Sequence, residues 1–316
     1  MGKLDVLYDK FKNEGVFDKV CDLLKKDEPT FGEMGAELKL QRDSLFDLIK
    51  VMRYSGYPIM EQLDLDTGDV TYYMGTLEPG NKYPIGYNPK SIAVMADTHI
   101  GDEISAIDEL NEFYKIVISR GINTVIHCGD IINGVGVYPG QDDENSIKTI
   151  EEQCRYVAEN YPRMPEGGAT YFITGNHDLK QTKKDPENED PGVLIVKYAE
   201  ELGRDDLKYM GQNSVRVVFQ NEFTIGVEHN LNFASPLDRA KTHNRFSAEE
   251  DLADMYAFGH KHLVAANEIN GTLYLESGCF KKQRAKEFEI AGIHYDIGMG
   301  WIVNIDDGVS YELIQV

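Results

Sequence analysis

Thr170-Tyr171-Phe172-Ile173-Thr174-Gly175-Asn176-His177-Asp178 is the stretch that decides the fold. Its first five residues are β-branched or aromatic, the composition of a strand. A short apolar run of this kind reads as a strand buried on both faces, as in a sheet covered on two sides. Glycine ends the run. Three side chains able to hold metal or move protons follow at once. Loops at strand ends, held by a rigid sheet, are where active sites usually form.

The same arrangement recurs along the chain. Ser91–Ala96 precedes Asp97-Thr98-His99, and Thr124–Cys128 precedes Gly129-Asp130. Phe223–Glu228 precedes His229, and Met255–Phe258 precedes Gly259-His260-Lys261-His262. Asp97 and His99 are two apart, so an extended strand end points both to one side. His260 and His262 repeat that spacing, with Gly259 giving the backbone room to turn. The set amounts to two Asp, one Asn and four His, with His177 to spare. It suits two divalent ions sharing a carboxylate, an arrangement that cleaves phosphate esters. Turn chemistry explains any one of these Asp or Asn residues, but not the whole ordered set.

The order DxH, GD, GNHD, H, GHxH resembles the calcineurin-like metallophosphoesterase superfamily over roughly residues 91–316. The resemblance implies an α/β (α+β) fold, a four-layer αββα sandwich of two mixed sheets. It implies that Asp97, His99, Asp130 and His262 hold a first metal. Asp130, Asn176, His229 and His260 would hold a second, with Asp130 bridging and a hydroxide between the ions as nucleophile. His177 would protonate the leaving oxygen or stabilise the phosphorane, and Asp178 would orient His177. Mixed ligation tolerates Mn, Fe, Zn, Co or Ni, with manganese expected first. His243 is a rival to His229, but it sits in a polar stretch, whereas His229 ends a strand-like run. His127, inside a strand, reads as a packed core histidine, and His294 stays unassigned.

Departures within the superfamily narrow the substrate. No arginine follows Asp130, where Ile131-Ile132-Asn133-Gly134 stands, and Asp178 replaces the glutamate of the protein phosphatases. Asn133 stands where purple acid phosphatases place a tyrosine. The chain is then similar to the branch holding DNA exonucleases of the SbcD type and small cytoplasmic phosphodiesterases. The expected activity is hydrolysis of phosphodiesters in DNA or RNA. The alternatives are cyclic or small nucleotides, a phosphomonoester, or an adaptor without chemistry.

Residues 1–75 read as a separate domain. Helical spacing predicts Val16–Lys26, Phe31–Leu40 and Asp43–Tyr54, the last with Leu45, Leu48, Ile49 and Met52 on one face. Tyr57–Leu65 and Val70–Met74 flank Asp66-Thr67-Gly68-Asp69 as a hairpin. Three helices and a hairpin resemble a winged helix-turn-helix, for DNA, a protein partner or homo-oligomerisation. Residues 76–90, rich in Pro and Gly, read as a linker. In the remainder, helices are expected at Glu103–Arg120, Glu144–Asn160, Val193–Leu202 and Ala248–Asp254. Late strands are expected at Val215–Phe219, Thr272–Glu276, Trp301–Ile305 and Ser310–Ile314. Gln181–Pro191 reads as an exposed loop able to gate substrate.

Net charge is −22 over 316 residues. Residues 1–90 carry 12 Lys and Arg against 16 Asp and Glu, so most of the acidity lies beyond residue 90. That opposes simple duplex binding through a basic face. The local exception is Lys281-Lys282-Gln283-Arg284 with Lys286, read either as a phosphate contact or as a solvated turn. Cys21, Cys128, Cys154 and Cys279 are scattered and form no CxxC pair, which argues against a disulfide framework or zinc ribbon. The opening residues lack a basic-then-apolar leader. Val6 breaks the myristoylation pattern. No apolar run approaches the roughly 20 residues that span a bilayer. The expectation is a soluble cytoplasmic protein without a membrane partner.

Overall fold

The structure is a computed structural model. It describes residues 11, 15–26, 29–54, 59–63, 70–74, 82–184, 188–229, 236–237, 240–241, 252–292, 294–306 and 308–316. His243, the turn 66–69 and most of the short helix expected at Ala248–Asp254 lie outside them. Residues 252–254, the tail of that expected helix, are not helical. The chain forms two compact units: Met1–Glu78 with Asn232–Leu252, and Pro79–Leu231 with Ala253–Val316.

In the first unit, α1 is Val16–Lys26, α2 Phe31–Leu38 and α3 Arg42–Tyr54, followed by β1 Ile59–Leu63 and β2 Val70–Met74. Thr30 caps α2 with a reciprocal bond to Glu33, satisfying donors that the first turn leaves open. Lys39 ends α2 in left-handed backbone, two residues short of the expected boundary. Leu45, Leu48, Ile49 and Met52 of α3 join Val20, Leu24, Met34 and Ile59 in one buried cluster. β1 and β2 pair antiparallel.

The second unit holds two mixed six-stranded sheets with flanking helices. Its elements begin with β3 Lys82–Ile85, β4 Ser91–Met95, α4 Ile107–Ser119, β5 Thr124–His127, α5 Gln141–Glu144 and α6 Ile150–Asn160. Next come β6 Ala169–Thr174, α7 Asn176–Lys184, α8 Pro191–Glu201, β7 Leu207–Gln212, β8 Ser214–Phe219 and β9 Thr224–Glu228. The rest are β10 Met255–Phe258, β11 Ala265–Ile269, β12 Thr272–Glu276, α9 Ala285–Ala291, β13 Met299–Asn304 and β14 Ser310–Gln315. One sheet runs β14-β13-β4-β5-β6-β7, the other β11-β12-β10-β9-β8-β3.

Alternation along β4 divides the core. Ala93 and Met95 face α4, α6 and α8 through Phe113, Val157 and Ile195. Ile92, Val94 and Ala96 face the second sheet through Val227, Ala257 and Leu275. β4, β5 and β6 run parallel, so their carboxyl ends fall at one edge, where three of the motifs begin. β9 and β10 are also parallel and deliver His229 and the last motif. No helix among the described residues is long and apolar enough to cross a membrane.

Three sequence expectations change here. Residues 82–85 are not linker: β3 pairs parallel with β8 at a sheet edge, and Ile85 is buried. Pro84 fits there because an edge strand need not donate every amide. Gln181–Pro191 is not one loop either. Its first residues continue α7, and Asp190 caps α8 with Pro191 at the first helical position. The helix expected at Glu144–Asn160 starts later, at Ile150 behind its cap Thr149, and α5 ends at Glu144, the expected starting residue.

Candidate metal centre

Asp97, His99 and His262 offer donor atoms within 4.8 Å of one another, as do His99, Asp130 and His177, and Asp130, His229 and His260. Asp130 and His99 each belong to two of these three groups. Asn176 joins them, with its Oδ1 2.9 Å from His260 Nδ1. The structure therefore brings together every metal-ligand candidate that the motifs nominate.

The local backbone is unusual. Asp97, His99, Asp130, His260 and His262 all have positive φ, from 43° to 84°. That conformation is costly for residues bearing Cβ, and it clusters at functional sites. The expected alternation of an extended strand end is thus corrected. Successive donors converge because the chain turns left-handed after the strand. Gly259 is corrected as well, since its φ is not positive and the left-handed turn falls on its successor. Its value is close approach: a Cβ there would lie 2.7 Å from the Cys128 carbonyl and 2.9 Å from Asp97 Oδ2. At Gly175 a Cβ would lie 2.3 Å from Asp130 Oδ1 and 2.7 Å from His229 Nε2.

The donors fit a cation. His99 Nε2 and His262 Nε2 face one another at 3.1 Å. Asp97 Oδ1 lies 3.7 Å from the first and 3.4 Å from the second. His229 Nε2 is 3.0 Å from Asp130 Oδ2. Asp97 Oδ1 is buried without a hydrogen-bond partner, an arrangement that buried polar atoms avoid unless something else satisfies them. Backbone contacts fix the opposite edges of these groups. The His260 amide donates to Asp97 Oδ2, the His177 amide to Asp130 Oδ1, and His229 Nδ1 to the Cys128 carbonyl.

Protonation favours ligation at three of these groups. Burial would raise Asp97 and Asp130, but the neighbouring histidines hold both carboxyls well below the ordinary range. Burial and the nearby His177 push His99 down to about 3, so it stands neutral. At His229 burial is overridden by the Asp130 carboxylate, which lifts it to about 9, so a cation must displace a proton there.

His177 and Asp178 behave differently from expectation. His177 Nδ1 lies 2.8 Å from the Asn133 carbonyl, which can only accept, so Nδ1 carries the proton. Asp178 does not orient His177. Its carboxylate accepts from the amides of Gly175, Ile131 and Ile132, tying the Asp130 loop to the start of α7. The orienting group is Asn133, a residue whose importance no motif signalled. Its loop is held in turn by Asn145, Gln141 and Gln153, all buried. Polar residues at buried helix positions, such as Gln153 beside Cys154, were the available signal.

His127 is a core histidine as expected. It is buried, lies 3.3 Å from Thr98 Oγ1 and accepts from the Gly129 amide; burial drives it down to about 4. The basic cluster is neither of its two expected forms. Buried Lys281 binds Asp102 and Glu287. Arg284 makes a two-pronged contact with Asp102, at 2.6 and 3.0 Å, and also reaches Glu103 and Glu144. Lys286 pairs with Glu144.

The calcineurin-like phosphoesterase superfamily domain matches residues 91–296. The chain is similar to the DNA polymerase II small subunit of Halobacterium salinarum, 24% identical over 244 residues, covering 68% of this chain and 48% of that one. It is also similar to the DNA polymerase II small subunit of Methanothermobacter thermautotrophicus, 29% identical over 230 residues, covering 61% and 48%. The chain spans about half the length of these curated relatives. Among solved structures it resembles an archaeal phosphodiesterase, 15% identical, with a TM-score of 0.42 over 72% of this chain and 99% of the other.

Proposed function

The chain belongs to the calcineurin-like phosphoesterase superfamily, and from that premise we propose that it is a two-metal phosphodiesterase acting on nucleic acid, DNA first. One observation carries the reading: the Asp130 carboxylate belongs both to the group with His99 and to the group with His229 and His260. A shared carboxylate is what a pair of cations needs. Asp97, His99, Asp130 and His262 would hold one ion, and Asp130, Asn176, His229 and His260 the other. Two such ions, with manganese the first candidate, supply an activated water and neutralise charge on phosphate.

The chain's own residues do the rest. Left-handed backbone at Asp97, His99, Asp130, His260 and His262 and the bare α-carbons of Gly175 and Gly259 let donors from five loops meet. The Asn133 carbonyl fixes the Nδ1–H edge of His177; to give a proton to the leaving oxygen His177 would act as the imidazolium, protonated at Nε2 as well, a form that its burial disfavours. Asp178 keeps the Asp130 loop at the head of α7. DNA is favoured as substrate because the similar proteins named above are DNA polymerase small subunits. The first unit, whose described residues include α1, α2, α3 and the antiparallel pair of β1 and β2, is assigned a winged-helix role in placing nucleic acid or a protein partner. The acidic charge favours a second reading, cleavage of cyclic or small nucleotides.

The test is a manganese-supplemented assay, with zinc, cobalt and nickel in parallel. The substrates are labelled single- and double-stranded DNA and a 2′,3′-cyclic nucleotide. DNA cleavage lost in Asp130→Ala supports the proposal. His177→Ala should retain metal and slow turnover by roughly 10²–10⁴-fold, the usual worth of a positioned proton donor. Cleavage of the cyclic nucleotide alone moves the assignment to the second reading. No cleavage of any ester with any metal overturns both.

A further inference from the structure

Five rings form a continuous arc through the metal centre. Tyr138 meets His177 edge-on at 6.3 Å between centroids, and His177 meets His99 at 4.5 Å. His99 meets His262 at 5.0 Å, and His262 meets Tyr295 at 4.5 Å. Each contact is close to perpendicular. The three inner rings carry the chemistry. The outer two are tyrosines, and neither is used by the reaction proposed above.

Both tyrosines are half-buried, neither sealed in the core. Tyr138 is held firmly for a loop residue. Its hydroxyl donates to Glu144 Oε2 at 2.7 Å, and the Lys286 ammonium lies 5.9 Å from its ring centre. Tyr295 is fixed through its amide, which donates to Gln283 Oε1, and through its edge contact with His262. A fixed, half-buried aromatic residue is suited to stacking. The neighbouring cations are already engaged: Lys281, Arg284 and Lys286 are paired with Asp102, Glu103, Glu144 and Glu287. Affinity beside the metals therefore draws on ring faces more than on phosphate-binding cations.

We infer that Tyr138 and Tyr295 are the walls that stack nucleobases flanking the scissile phosphate. They would make the site prefer esters that carry bases over bare sugar–phosphate esters. The inference rests on the phosphodiesterase reading and adds a substrate determinant to it. Stacking a base on an aromatic side chain is sequence-tolerant, so the site would select nucleotide character and not a particular base.

The test uses the full chain with manganese on two single strands of equal length, an oligothymidylate and an abasic strand with the same backbone. The wild type should show a KM at least about five-fold lower for the base-bearing strand, the lower end of what one stacked base contributes. Tyr138→Leu and Tyr295→Leu should each raise that KM towards the abasic value, and Tyr138→Phe and Tyr295→Phe should keep the preference. Equal KM for the two strands in the wild type overturns the stacking role and leaves the phosphodiesterase reading standing. Cleavage of neither strand overturns that reading and the stacking role with it. If the Leu variants fail to fold, the wild-type comparison still decides.

Discussion

At Asp97, His99, Asp130, His260 and His262, residue type and backbone shape tell separate stories. The types were legible in the sequence, because metal ligation restricts a position to few side chains and the motifs preserve their order. The left-handed backbone was not legible, since a positive φ at Asp or His leaves no mark in composition. Asn133 escaped for a related reason: it acts on His177 through its carbonyl, which every residue possesses. A different residue-scale commitment lies away from the site. The Arg204 guanidinium is fully buried and clasps Asp206 at 2.8 and 2.9 Å while donating to the Ala158 and Tyr161 carbonyls. Burial would raise the Asp206 carboxyl, but Arg204 and the Met164 amide hold it below 3.8. A depressed folded-state pKa gives stability that is complete above the unfolded value and lost as pH falls through the folded one. Wild-type stability in urea should thus drop more steeply below about pH 4 than that of Asp206→Asn. Parallel curves would contradict this. At pH 7, Asp206→Ala should cost about 3–5 kcal/mol, because it strands a buried guanidinium.

At the scale of elements, long buried runs announced themselves and short edges did not. β4, β5, β6, β9 and β10 were readable because strands covered on both faces are apolar throughout. β7, with a half-exposed pattern, and β11, largely half-exposed, carried too little signal. α9 follows the basic cluster and was hidden by it. β3 was masked by the Pro and Gly around it. Yet Ile85 packs between the sheets, and Tyr87 Oη lies 2.9 Å from Thr124 Oγ1. Ile85→Ala should therefore lower unfolding stability by about 2–5 kcal/mol, as truncation of a buried aliphatic does. Lys82→Ala, on the same strand but exposed, should stay within about 0.5 kcal/mol. Equal effects of the two substitutions in denaturant melts would mean that β3 contributes no core.

For the molecule as a whole, the charge of −22 leaves little cationic surface to neutralise a phosphate backbone. DNA binding in metal-free buffer should be weak, with a logarithmic salt slope shallower than about −3, where each duplex phosphate contact adds about −0.9. Fluorescence anisotropy across a salt series measures this, and a slope near −6 would reveal a basic face that the composition conceals. The division into units carries a consequence for synthesis. The first unit takes in Met1–Glu78 and also Asn232–Leu252. A ribosome delivers the first of these segments early and the second only after β4 to β9 have emerged. The nascent amino-terminal unit must then wait, unfinished, while most of the two six-stranded sheets is made. Isolated residues 1–78 should accordingly melt at a lower temperature than the same fragment supplied with a peptide of residues 232–252. No shift on adding that peptide would show that the early segment completes itself as it leaves the ribosome.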